Sequence, residues 1–279
     1  VMEQRTSTSV YALLNDYTVR FKPNNEIYEF DRVFPPKTHQ ETVYRDSLNP
    51  LLKPLLLAEN SYYFAYGASG QGKSYSLEGA SDYNKMKKLA GTTPNNNNNS
   101  VTKSMTKPSS FNKSRGCVGR LLKDLFVEIR NKQKYDSYGK MHIKEKFDVH
   151  LEYVELYDEK YVYDILLVDQ DGSMNIPVAN PKNDDGVNDS DPRGGVRVKV
   201  KDANAAYKLY VSANKRRNGY RNLLLSGHLH APEQMDAMKQ KKTLTTGVFK
   251  IHVTNVNTNN TGTLTIVDVA ASSSTQRDE

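Results

Sequence analysis

Residues 65–79, AYGASGQGKSYSLEG, set Gly67, four residues and then Gly72-Lys73-Ser74 directly behind the aromatic run SYYFAY. The pattern G-x-x-x-x-G-K-[ST] between an apolar strand and a helix restricts the fold sharply. It demands a turn in which glycines let successive backbone N–H groups face one anion. The expectation is a strand over 61–66 buried on both faces, then a helix that begins near Gly72 and fades by Gly79. In such a turn Gly67, Ala68, Ser69, Gly70, Gln71 and Gly72 offer amides to phosphate oxygens, Lys73 reaches the outer phosphates and Ser74 can hold Mg2+. The competing reading is an ordinary strand-to-helix turn. A phosphate loop also needs an acidic group at the end of an apolar strand, and TLTIVD places Asp268 there. Asp268 is either that metal-facing carboxylate or a solvated turn residue.

The remaining pattern alternates strands and helices. TVRFKPNNEIYEFDRVF (18–34) reads as a hairpin around Asn-Asn, and Val43, Leu48, Leu51 and Leu55 mark an amphipathic helix disturbed near its prolines. Residues 117–132 place Val118, Leu121, Leu122, Leu125 and Ile129 on one helical stripe, and 146–158 alternate at period two as a long strand. EKYVYDILL follows as a strand or short helix, GVRVKVKD is a strand, and 202–218 form a helix capped by Asp202 with Ala206, Leu209, Tyr210 and Ala213 inward. GVFKIHVTNV and GTLTIVDVA close the pattern as a hairpin. Together these predict an α/β fold, a three-layer P-loop NTPase with a central mixed β-sheet flanked by helices. Residues 80–115 and 169–195, rich in Asn, Ser, Asp and Gly, are expected to be disordered surface insertions.

Charge and composition narrow the classes further. The 279-residue chain carries a net charge of +7, and residues 80–146 hold fifteen Lys/Arg against five Asp/Glu, which favours an acidic partner surface. One cysteine, Cys117, forms no internal disulfide and fits a reducing, cytoplasmic compartment. No apolar run is long enough to span a membrane, since LLKPLLLA is broken by Lys53 and Pro54. No nucleic acid is expected as a partner. The frame beginning at Asp169 ends in Asn180 instead of a bidentate Glu, so it is no calcium loop, and His228 with His230 lack a third metal ligand.

The segments YEFDRVF, VYRDSLNPLLKPLLLAENSYYFAYGASGQGKSYSLEG, RGCVGRLLKDLF, VHLEYVELYDEKYVYDILL, DANAAYKLYVSANKRRN and GTLTIVDVA resemble, in order, those of a kinesin motor domain. The resemblance implies one motor domain over 1–279, ATP or ADP with Mg2+ as ligand, and a microtubule of the cytoskeleton as partner. It implies that Lys73 neutralises phosphates, Ser74 and Asp268 serve Mg2+, and Tyr75 packs on the adenine. Eight residues follow Ala271, so the expectation is a motor domain incomplete at its C-terminus.

The departures from the family's pattern concern the groups that sense the terminal phosphate. Against a first switch N-x-x-S-S-R-S-H the chain reads LLLSGHLH, with Ser226, Gly227 and His228 as the candidates and Asn222 as an alternative. Against a second switch D-x-x-G-x-E it reads DVAASS, with Ala271 for the glycine and Ser273 for the glutamate. The switch arginine and glutamate, which form an ion pair in the family, are both replaced. Losing one would strand a charge at a cost of about 3–5 kcal/mol, whereas losing both is tolerable for folding. The expectation is nucleotide binding with slow or absent hydrolysis. Two alternatives are a non-motor adaptor that uses the fold to bind proteins, and an unrelated P-loop NTPase, the latter weakened by the lack of a guanine-reading Asn-Lys-x-Asp.

Overall fold

A computed structural model describes residues 10–68, 70–79, 115–132, 145–157, 161–166, 178–179, 195–226 and 245–270. Most of the two expected insertions lies outside these residues. Near the N-terminus, β1 (Tyr11–Leu13), β2 (Thr18–Phe21) and β3 (Glu26–Glu29) form a small antiparallel sheet, with β2 and β3 turning through Asn25 at φ 59°. Asparagine tolerates that left-handed geometry, so the Asn-Asn signal marks the turn.

The expected disturbed helix is α1 (Gln40–Ser47), a 3-10 turn at Asn49–Leu51 and α2 (Leu52–Leu56). Pro50 lacks an amide hydrogen, so the break falls where its hydrogen bond would be. β4 (Asn60–Ala65), α3 (Lys73–Glu78), α4 (Cys117–Lys132), β5 (Phe147–Tyr157) and β6 (Tyr161–Asp164) follow. The remaining elements are β7 (Val178–Ala179), β8 (Val198–Val200), α5 (Ala203–Ser226), β9 (Thr245–Asn255) and β10 (Asn260–Asp268).

The main sheet has the order β4-β10-β9-β5-β6-β7, with β8 also paired to β5. β10 runs parallel to β4 and antiparallel to β9, so the sheet is mixed, as the sequence pattern predicts. Register places Val149, Leu151 and Tyr153 opposite Val253, Ile251 and Phe249, with Leu264 and Ile266 beside them. These residues share one face, and Leu48, Leu55, Leu121, Leu122, Leu125, Ala206 and Tyr210 from the helices close over them as one core. The Tyr44 hydroxyl donates to Asp124 Oδ2 at 2.8 Å and ties α1 to α4.

β4 departs from expectation. It is an edge strand of the sheet among the described residues, and its burial alternates instead of closing on both faces. Tyr63 and Ala65 face the core, whereas Tyr62 and Phe64 are 63% and 59% exposed. A run of aromatics cannot reveal its own neighbours, so the sequence marked a strand and misplaced its cover. Gly79 and Arg115, which bound one of the stretches outside the described residues, are joined by a β-bridge. Gly116 sits so close to the end of α3 that a Cβ would lie 2.4 Å from Gly79 N.

Candidate functional site

The parallel pairing of β4 and β10 brings their C-terminal ends level, with Asp268 opposite Ala65 and the Val269 amide donating to the Ala65 carbonyl at 2.9 Å. In α/β sheets ligands collect outside such carboxyl ends. The 66–72 turn leaves β4 at that edge and enters α3 at Lys73. Gly67, Gly70 and Gly72 have φ of 143°, 78° and 91°, and an added Cβ at any of them would meet nothing within 4 Å. The turn therefore requires glycine for its backbone angles, not for lack of room. Their left-handed φ values turn amides out of a normal strand path, which is what an anion cradle needs.

Lys73 Nζ lies 2.7 Å from the Gly67 carbonyl and 3.2 Å from that of Ala68. Its ammonium thus sits over the turn it follows. Ser74 is exposed, and Tyr75 is 54% exposed with its carbonyl bound by Gln40 Nε2 at 3.0 Å. An exposed ring at the start of α3 is available for stacking, as the resemblance implies. Ser69 lies outside the described residues.

Asp268 arrives at the same edge in a different condition. It is 7% exposed, and its Oδ2 accepts from Arg217 Nη1 at 2.8 Å. Arg217 also donates from Nε to Glu155 Oε1 at 3.0 Å and from Nη1 to the Tyr153 hydroxyl at 3.2 Å, while that hydroxyl donates to Asn214 Oδ1 at 2.9 Å. Thr245 Oγ1 binds Glu155 as well. Burial pushes the Tyr153 hydroxyl up to about 12, which keeps it a neutral donor. Burial also works against the Arg217 charge, yet Tyr153, Glu155 and Asp268 hold the guanidinium above its ordinary value.

Sequence reasoning missed Arg217, Glu155 and Gly247. Arg217 continues the Ala206, Tyr210, Ala213 stripe by one further turn, so an arginine on an inward stripe was the available signal. Gly247 makes room for it: a Cβ there would lie 2.6 Å from Arg217 Cζ. The expected helix over 202–218 runs on through Ser226, with Asp202 Oδ1 capping the Ala205 amide at 2.7 Å. Ser226 is thus the last helical residue, and Gly227, His228, His230, Ala271 and Ser273 lie outside the described residues.

A further buried carboxylate, Glu152, occupies the opposite face of the sheet. It meets Lys250 Nζ at 3.0 Å, His252 Nε2 at 3.1 Å and the Gly195 amide at 3.1 Å. Burial alone would raise its pKa, but these donors hold the pKa down at about 2. Cys117 is buried, and burial pushes its thiol up to about 11, so it is a packing residue. No described helix is long and apolar enough to cross a membrane, and no described group of His, Cys, Asp and Glu could hold a metal ion.

A family model described as the kinesin motor domain matches residues 7–279. This chain belongs to the kinesin motor-domain family. Among curated relatives, Kinesin-like protein KIP1 of Saccharomyces cerevisiae is 26% identical over 273 residues, 92% of this chain and 21% of the relative. Chromosome-associated kinesin KIF4 of Mus musculus is 24% identical over 175 residues, 63% of this chain and 11% of the relative. The chain therefore spans under a quarter of the length of these relatives. Its fold is that of solved kinesins: a fast kinesin aligns at TM-score 0.59 with 18% identity, covering 97% of this chain and 62% of the other. Drosophila NOD, docked with bovine tubulin in a map of its microtubule complex, aligns at TM-score 0.57 with 18% identity, covering 95% and 66%.

Proposed function

We propose that this kinesin-family domain holds an adenine nucleotide at residues 67–74, hydrolyses it slowly or not at all, and has a microtubule as its partner. The single observation that carries the nucleotide reading is the turn itself: three left-handed glycines with open space beside them, followed by an ammonium poised over the loop. Gly67 to Gly72 supply amides to phosphate oxygens, and Lys73 exchanges its carbonyl partners for them. Tyr75 stacks on the base. Slow turnover follows from the sequence at the switches, where His228 and Ser273 stand in place of the arginine and glutamate that close the site around water.

In the family's arrangement Ser74 and Asp268 would hold Mg2+, which would neutralise charge on the phosphates. The exposed Ser74 hydroxyl suits that role. Asp268, which is bound to Arg217 through Oδ2, would act on the ion's water shell from the end of β10.

Phosphate release measured with and without microtubules tests the reading. The expected result is a rate near background that microtubules leave unchanged; strong stimulation would overturn the slow-turnover reading. The Arg217–Asp268 pair also favours the second reading, an adaptor that uses the fold as a fixed protein-binding scaffold. That reading predicts microtubule or protein binding that is the same with and without nucleotide.

A further inference from the structure

We infer that Gln40 is a positioning residue for the base of the nucleotide: it holds the main chain of Tyr75, and through it the ring that stacks on adenine. The inference rests on the nucleotide reading of residues 67–74 and adds a residue which that reading leaves out. Three observations bear on it.

The helix that carries Tyr75 needs a hold from outside. α3 has six residues, too few for a helix to persist on its own backbone bonds. It lies between two left-handed glycines, Gly72 at φ 91° and Gly79 at φ 97°, so the chain turns sharply at both of its ends. Leu77 anchors one side in the core, and at the far end the Gly116 amide donates to the Glu78 carbonyl at 3.2 Å. Nearer the start, the Tyr75 carbonyl accepts from the Gly79 amide at 2.9 Å and from Gln40 Nε2 at 3.0 Å. The second of these donors belongs to a different helix, α1. It fixes the Tyr75 peptide against α1, and with it the direction in which the exposed ring leaves α3.

Gln40 stands where α1 calls for a hydrophobe. It opens the stripe Gln40, Tyr44, Leu48, spaced by four and buried throughout. Gln40 is 9% exposed, and its Oε1 is buried with no hydrogen-bond partner among the described residues. A buried acceptor without a donor costs stability, which a methionine of similar volume would not. Packing therefore does not explain the amide; what it supplies is a donor for Tyr75. The partner also assigns the two ends of the amide, because a carbonyl oxygen accepts from the nitrogen and not from the oxygen.

The bond is placed to act on the base and not on the phosphates. The turn at 67–72 takes its shape from its own glycines, and Lys73 is bonded to the Gly67 and Ala68 carbonyls within it. Gln40 reaches the chain two residues beyond Lys73. Loss of its donor falls on Tyr75 and on a base stacked there, while the amides that face phosphate keep their geometry. Gln40 touches no ligand in this account.

The test is equilibrium binding to the whole chain by calorimetry, with ADP and with inorganic pyrophosphate as the two probes, in millimolar Mg2+ throughout. Gln40→Met keeps the volume and removes the donor. It is expected to weaken ADP by about fivefold and to leave pyrophosphate within about twofold. Tyr75→Ala is expected to give the same split. Adding Gln40→Met to Tyr75→Ala should cost ADP less than about a further twofold, because the residue through which Gln40 acts is gone. A merely structural role would weaken both probes alike and add fully in the double variant, and either result overturns the inference. So does ADP binding that Gln40→Met or Tyr75→Ala leaves unchanged, with the phosphate turn left standing. Absence of binding of both probes to the native chain overturns the nucleotide reading and this inference with it, so the two failures are distinguishable. If Gln40→Met does not fold, Gln40→Glu, which keeps the shape and lacks the Nε2 donor, is read in the same way. The Tyr75→Ala comparison needs no change at position 40 and can overturn the inference by itself.

Discussion

Lys73 and Arg217 are two cations of this site, and their surroundings assign them different tasks. Among the described residues Lys73 bonds to carbonyls of its own loop, so its truncation should leave the fold intact. Ligand at about 100 times its dissociation constant adds about 2.7 kcal/mol of stability, or roughly 5–10 °C in melting temperature for a domain of this size. Lys73→Ala is expected to abolish that rise while moving the ligand-free melting temperature by under about 2 °C. Thermal scans with and without ADP check it, and an unchanged ligand-induced rise would refute the role of Lys73. Gly247→Ala tests the other cation. Its methyl group would press into the Arg217 guanidinium, and a loss of about 1–3 kcal/mol in urea unfolding is expected. Only the stripe on α5 hinted at Arg217 from sequence; its partners Glu155 and Asp268 lie 62 and 51 positions away, beyond any local pattern.

At the scale of elements, periodicity predicted most of what formed. The stripe on α4 buries Leu121, Leu122 and Leu125 completely, as its spacing requires. Leu122→Ala should therefore lose about 2–5 kcal/mol through transfer and cavity terms together. β4 makes the contrast. Its residues Tyr62 and Phe64 have the composition of a core yet lie exposed on an edge strand, with ring centroids 6.5 Å apart. Phe64→Ser is expected to change stability by no more than about 0.5 kcal/mol, and equilibrium unfolding beside Leu122→Ala would separate the two positions. A loss at Phe64 equal to that at Leu122 would contradict the exposed placement.

For the molecule as a whole, the long sheet carries buried carboxylates on both faces, Glu155 and Asp268 on one and Glu152 on the other. Glu152 titrates near 2 when folded, below its ordinary value of 4.5. A depressed folded value contributes stability that is fully present above about pH 4.5 and is lost as pH falls toward 2. The shift corresponds to about 3 kcal/mol. Between pH 5 and 2 the melting temperature should therefore fall more steeply in the native chain than in Glu152→Gln, which cannot titrate there. Parallel slopes would remove Glu152 from the acid response.

The sequence by itself determined the glycine turn that precedes α3, the helices with a 3.6-residue stripe, the long strands and the closing hairpin, because each is written in contacts or backbone angles a few residues apart. It also carried the resemblance that the family match bears out. Only the tertiary structure decided that β4 lies at an edge, that α5 runs to Ser226, and that Asp268 is met by Arg217 and not by open solvent. Those outcomes depend on which strands become neighbours and which charges are enclosed between them. Such pairings join residues far apart in the chain, and their energies arise only when water has been excluded from both partners at once.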